Sequence, residues 1–122
     1  MSTDRAATIA AERAATVERA AALARQVEGL AEQQAHTTHD DEHDPEGVTI
    51  GYERAQLQGL LAGARDDLEA LDRAAARLAA GTYGRCGRCG GPIAPERLDA
   101  LPAAETCIAC ATMRRRRPDS RR

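Results

Sequence analysis

The sequence predicts an all-α chain with a small zinc ribbon: an antiparallel helical hairpin, or coiled coil, followed by a C4 zinc finger and a short C-terminal helix. Three observations lead there. The 122 residues contain no Phe, no Trp and only two Tyr, so a thick globular core is excluded, and Ala- and Leu-rich helices laid side by side are what the composition can pack. Apolar residues recur at alternating three- and four-residue spacings through the N-terminal two thirds, the seam of a coiled coil. Finally, Cys86-x-x-Cys89 and Cys107-x-x-Cys110 are separated by seventeen residues, the arithmetic of a closed tetrahedral zinc site.

The elements follow in order. From Thr3 to about Ala35 there is no Pro and a single Gly, Gly29, which predicts a long first helix. Ile9, Val17, Leu23, Val27 and Leu30, with Ala20 between, mark its apolar side. His36 to Gly47 is polar throughout and predicts the hairpin turn, an acidic tip at 36–47. Asp44 suits an N-cap, Pro45 the first helical position, and Glu46 the positive end of the helix dipole. The second seam reads Ile50, Leu57, Leu61, Ala64, Leu68, Leu71, Ala75 and Leu78. Gly47, Gly51, Gly59 and Gly63 each weaken that helix by roughly 0.8–1 kcal/mol relative to Ala, so fraying of its first turns is expected. Gly81 supplies the stop. The expected organisation is a hairpin at 1–81, a zinc-finger domain with a short helix at 82–117, and a disordered Arg-containing tail at 118–122.

The chemistry lies in the cysteines. Each two-residue spacer lets both thiolates of a knuckle reach one ion, and four thiolates leave no position for water or substrate. Cys86, Cys89, Cys107 and Cys110 are therefore expected to hold one structural Zn²⁺, with no hydrolytic role. Two disulfides are the alternative, but no secretory segment precedes them, which favours a reducing compartment. No apolar run approaches the roughly 20 residues that span a bilayer, so a cytoplasmic protein that is not membrane-bound is expected. No nucleophile and base are suitably placed for an enzyme.

The net charge of −2 conceals two poles. Asp40, Asp41, Glu42, Asp44 and Glu46 crowd the turn, and Arg114, Arg115, Arg116, Arg117, Arg121 and Arg122 crowd the end. Four consecutive arginines on a helix point around its circumference and form no single basic face, so an electrostatic contact with an acidic protein surface is favoured over direct nucleic-acid binding. Arg85 and Arg88 most simply offset the negative charge of a zinc–thiolate centre. His36, His39 and His43 read as solvated loop residues, a second metal site being the less favoured alternative.

Tyr83-Gly-x-Cys86-x-x-Cys89-Gly, Ile93, Arg97-Leu98, Pro102 and Cys107-Ile-x-Cys110 together resemble the DksA/TraR zinc-finger proteins of bacteria. Asp41-Glu-His-Asp44 resembles the Asp-x-x-Asp element that this family carries in its hairpin turn, and the likeness covers roughly residues 5 to 117. It implies a transcription regulator that binds bacterial RNA polymerase. The coiled coil would enter the secondary channel, directing Asp41, Asp44 and Glu46 toward the active centre, while the zinc end stays near the rim. Glu46 replaces the family's usual Ala, and Leu101 and Ala111 stand where ppGpp-responsive members have basic residues. A ppGpp site at the zinc-domain interface is accordingly not expected, and a monomer is. The alternatives are a zinc-ribbon nucleic-acid-binding module using Arg114 to Arg117, and a coiled-coil adaptor.

Overall fold

The computed structural model describes residues 2–37 and 45–115. Helix α1 covers Ser2–Thr37 and α2 covers Pro45–Ala80, each of 36 residues, followed by the short helices α3 (Pro95–Ala100) and α4 (Ile108–Arg115). Among the described residues there is no strand, only an isolated antiparallel bridge between Arg85 and Pro92. No described helix is long and apolar enough to cross a membrane. The two long helices and the zinc region are the fold that the periodicity and the cysteine spacing predict. The four glycines do not delay α2, which is helical from Pro45 onward. Burial of Ile50 in its second turn supplies tertiary support that intrinsic propensity does not count.

Two compact units are present, one formed by residues 13–68 and the other by the residues up to Glu12 together with those from Glu69 onward. In the first, α1 and α2 run antiparallel: Arg19 pairs with Asp67 at 3.4 Å, and Arg54 donates to Oε1 of Gln34 at 3.2 Å, so rising positions on α1 meet falling ones on α2. Ile50, Leu61 and Ala64 are buried in the seam, with Leu23, Val27, Leu30, Leu57 and Leu68 half-buried along it. A Cβ at Gly51 would come within 3.2 Å of Gln34 Nε2, so glycine lets the helices approach closely there. Val17, read from the sequence as a seam residue, is 41% exposed, while Thr16 is 1% exposed. One heptad from Ile9 lands on 16 and not 17, and register outranks side-chain hydrophobicity.

In the second unit Ile9, Leu71 and Ala74 form a buried cluster against which Leu78, Tyr83 and Ala103 pack. Ala75, also expected in the seam, is exposed, and the adjacent Ala74 is fully buried. The reason is the packing of Tyr83 and Ala103 onto this stretch of α2, which turns its buried side by one residue. The end of α2 is a Schellman cap: Gly81 takes φ +81°, its N–H donates to Leu78 O at 3.2 Å, and Thr82 N donates to Arg77 O at 2.9 Å. Arg5 near the start of α1 pairs with Asp99 of α3 at 2.8 Å.

Leucine at 74 must displace Tyr83 and Ala103, whereas leucine at 75 meets solvent. Ala74→Leu is expected to lower the free energy of unfolding by about 1–3 kcal/mol, and Ala75→Leu to change it by less than about 0.5 kcal/mol, as read from urea-unfolding midpoints at constant slope.

Candidate metal centre

The loop after α2 carries Cys86 and Cys89, Cys107 precedes α4, and Cys110 lies in its first turn. All four Sγ atoms lie within 4.8 Å of one another, with Cys89 and Cys107 sulfurs 3.9 Å apart. A tetrahedron with 2.3 Å metal–sulfur arms has edges of about 3.8 Å, so the set fits Zn²⁺. It does not fit disulfides, whose sulfurs approach to about 2.05 Å, and all four cysteines are free. Among the described residues this is the one group of metal-competent side chains so arranged. The site thus holds one Zn²⁺ through four thiolates, with the protein filling every coordination position.

Backbone amides shape the first knuckle. Arg88 N and Cys89 N donate to Cys86 Sγ at 3.4 and 3.5 Å, and Gly91 N donates to Cys89 Sγ at 3.4 Å. The turn closes through Cys86 N to Gly91 O at 2.7 Å and Gly90 N to Cys86 O at 2.9 Å. Gly90 needs its φ of +79° for this, a conformation a side chain would strain. Gly87 N reaches across to Glu105 O at 2.9 Å, joining the two cysteine loops. Cys86 and Cys110 are buried with Ile93 and Leu98 beneath them, Cys107 is half-buried, and Cys89 is exposed.

The thiols are electrostatically unequal. Hydrogen bonds from the backbone, led by the Cys89 N–H, pull Cys86 down to about 6, since donors favour the thiolate. Burial, followed by neighbouring thiols, pushes Cys110 up to about 12. A bound divalent cation deprotonates its thiol ligands outright, so the free energy of filling the site includes expulsion of protons.

A second layer ties the Cys107 loop to α2. Arg73 Nε donates to Glu105 Oε2 at 2.7 Å, Arg77 Nη1 reaches the same oxygen at 3.4 Å, and Arg77 Nη2 donates to Ala104 O at 3.3 Å. Arg97 Nε donates to Thr106 O at 2.9 Å. Burial raises the Tyr83 hydroxyl above its ordinary value, and as a neutral phenol it donates to Pro102 O at 2.7 Å. The Arg73 hydrogen bond, with Arg77 adding, holds the Glu105 carboxyl below the usual carboxylate range. These fastenings were not anticipated from the sequence. Arg73, Arg77 and Glu105 stand 28 or more residues apart along the chain across the pairs, and no local pattern links them.

The structure brings together all four predicted ligands. Asp41 and Asp44 lie outside the described residues, as do His39, His43, Arg116 and Arg117 and the expected tail at 118–122. Glu46 is in the first turn of α2, and Arg114 and Arg115 are at the end of α4. Arg85 and Arg88 are exposed on the first knuckle.

Loading should give one zinc per chain by elemental analysis, and a strong chelator should unfold residues 82–113 before the long helices, read by amide exchange. Replacing Cys110 with Ser should abolish stoichiometric loading. Because the folded-state value of Glu105 is depressed, its contribution is complete above the unfolded value and is lost as pH falls through the folded one. Glu105→Gln is therefore expected to cost less than about 1 kcal/mol at pH 7, its carboxylate being partly exposed. That difference from wild type should shrink as pH falls below about 4.3.

Residues 81–121 match the prokaryotic dksA/traR C4-type zinc-finger family. The chain is similar in fold to the transcription factor DksA2 of Pseudomonas aeruginosa, with 24% identity, 93% of this chain and 85% of that one covered, and a TM-score of 0.56. It is also similar to the DnaK suppressor protein of Agrobacterium tumefaciens C58, with 26% identity, 86% and 92% of the two chains covered, and a TM-score of 0.44. Comparison with curated proteins finds no match. The zinc-finger region of this chain thus carries the dksA/traR C4 pattern in sequence over residues 81–121, and most of the chain shares its fold with DksA2.

Proposed function

We propose that this protein is a non-enzymatic transcription regulator that binds bacterial RNA polymerase in the cytoplasm through the secondary channel. The observation that carries the reading is a DksA/TraR finger in a chain whose fold is that of a transcription factor, DksA2. In this reading the turn between α1 and α2 is the working end. Asp41, Asp44 and Glu46 concentrate negative charge within six positions, and a cluster of that kind shifts the local potential around an active centre that handles divalent cations and phosphates. Two paired helices, each about 10–12 Å across with side chains, are slender enough to carry such a charge into a pore.

The zinc finger is structural in this reading. Its four ligands are all thiolates, so it offers no vacant position for chemistry. Arg114, Arg115, Arg116 and Arg117 would make a salt-sensitive contact with the acidic polymerase surface. Leu101 and Ala111 present no cation to a phosphate, which argues against ppGpp at the zinc-domain interface.

The test is co-purification of the zinc-loaded chain with bacterial RNA polymerase at micromolar concentration, with a photo-cross-linker at position 41. Cross-links inside the channel are expected, and Asp41→Asn should preserve binding while changing the transcriptional effect. No complex, or cross-links confined to the outer surface, would remove the reading.

A further inference from the structure

One charged side chain stands in the seam of the hairpin. Within residues 13–68, alternating spacings of four and three run through Thr16, Ala20, Leu23, Val27, Leu30 and Gln34 on α1, and through Ile50, Arg54, Leu57, Leu61, Ala64 and Leu68 on α2. All of these residues are buried or half-buried, as heptad positions of a paired helix should be. Arg54 alone among them carries a charge. Its Nη1 donates across the seam to Gln34 Oε1 at 3.2 Å, while its Nε is enclosed and donates to nothing. Among the described residues no carboxylate lies within ion-pair distance of Arg54. Gly51 stands three positions before it, and a Cβ there would come within 3.2 Å of Gln34 Nε2, so the missing side chain makes room for the amide. A cation held inside a seam by one neutral acceptor, with a donor unmet, is less stable than leucine in the same place. Leucine is the ordinary residue of this seam, so the composition of the chain does not account for the arginine.

We propose that the Gln34–Arg54 pair fixes the register of the hairpin at a cost in stability, and so decides which residues stand at its turn. With Gln34 level with Arg54, Leu30 is level with Leu57, Val27 with Leu61, Leu23 with Ala64 and Ala20 with Leu68. The Arg19–Asp67 contact at 3.4 Å fits the same alignment. The apolar layers do not define it. Sliding the helices by one heptad levels Leu30 with Ile50, Leu23 with Leu57 and Ala20 with Leu61, and these combinations bury comparable apolar side chains. The exposed Arg19–Asp67 pair contributes little against such a slide. Arg54 is what the slide cannot accommodate. It would come level with Val27, and its guanidinium would lose its acceptor inside the seam, leaving a buried charge uncompensated. A single polar side chain at a heptad position is an attested means of fixing register. The same slide would move the midpoint of the connection between α1 and α2 by about three or four positions, half of one heptad. On the polymerase reading the residues at that end of the hairpin are the working ones, and Arg54 is then a positioning residue for them. The register claim itself does not rest on that reading.

Methyl NMR of the full-length, zinc-loaded protein, read beside its melting temperature, tests the proposal. In the wild type, Overhauser contacts should join Leu30 to Leu57 and Val27 to Leu61, with none between Leu23 and Leu57. Arg54→Leu should melt about 3 °C or more above the wild type, with helicity and one zinc per chain retained. It should also show Leu23–Leu57 contacts from a second register populated by about a tenth of the molecules or more. Gln34→Glu, which keeps an acceptor opposite Arg54, should retain a single register. Gln34→Leu, which removes that acceptor and leaves the cation in the seam, should lower the melting temperature. A purely structural pair would lose stability when Arg54 becomes leucine and would keep its one register. An Arg54→Leu chain that is less stable than the wild type, or that folds in a single register, therefore overturns the proposal. None of these readouts involves RNA polymerase, so failure of the wild type to bind polymerase, with the register shift observed, would sink only the function proposed above.

Discussion

Four sulfurs must converge on one point, and much of the zinc unit is arranged to satisfy that requirement. Gly90 takes a left-handed conformation so that the loop can double back, and the amides of Arg88, Cys89 and Gly91 turn inward to the sulfurs. Ile93 and Leu98 fill the space beneath Cys86 and Cys110. With so few apolar side chains this unit cannot be held by burial alone. Metal binding and folding are one equilibrium for a site of this kind, and closure of the tetrahedron fixes the loops that the side chains then decorate.

That closure is communicated to α2 by polar fastenings. Arg73 and Arg77 grip Glu105 and the Ala104 carbonyl, and Tyr83 grips the Pro102 carbonyl. Glu105 also accepts the Gly87 amide on its own backbone oxygen, so one residue touches both cysteine loops' supports at once. Each exposed ion pair is individually weak. Their value lies in position, since together they hold Ala103 against the Ile9, Leu71 and Ala74 cluster and leave no space for Ala74 to be replaced by anything larger.

How far the sequence was legible depends on whether a feature is local. The cysteine spacing, the Gly81 stop and the paired long helices are written in short-range patterns, and they appear as read. Register was harder. Val17 looks more like a seam residue than Thr16 by side chain alone, but the heptad from Ile9 falls on Thr16, which is the buried one. Ala74 and Ala75 are chemically identical, and only the packing of Tyr83 and Ala103 from beyond the helix decides between them. The Glu105 contacts with Arg73 and Arg77 depend on tertiary placement and could not have been found by periodicity. The acidic turn, by contrast, is evident in composition, while its geometry lies outside the described residues.

Taken together, these features separate what makes the fold from what faces a partner. The zinc ligands are saturated by one another and their loops by backbone amides, so the most reactive side chains in the chain are committed to structure. Fixed charge is gathered at the hairpin turn and at the C-terminal arginines, and exposed apolar surface on α2 is gathered opposite its seam. Among the described residues the two roles fall on different side chains, because the sulfurs of Cys86 and Cys110 are backed by Ile93 and Leu98 and tied into their own loops, whereas Val48, Tyr52 and Leu60 on α2 stand exposed to whatever the helix meets.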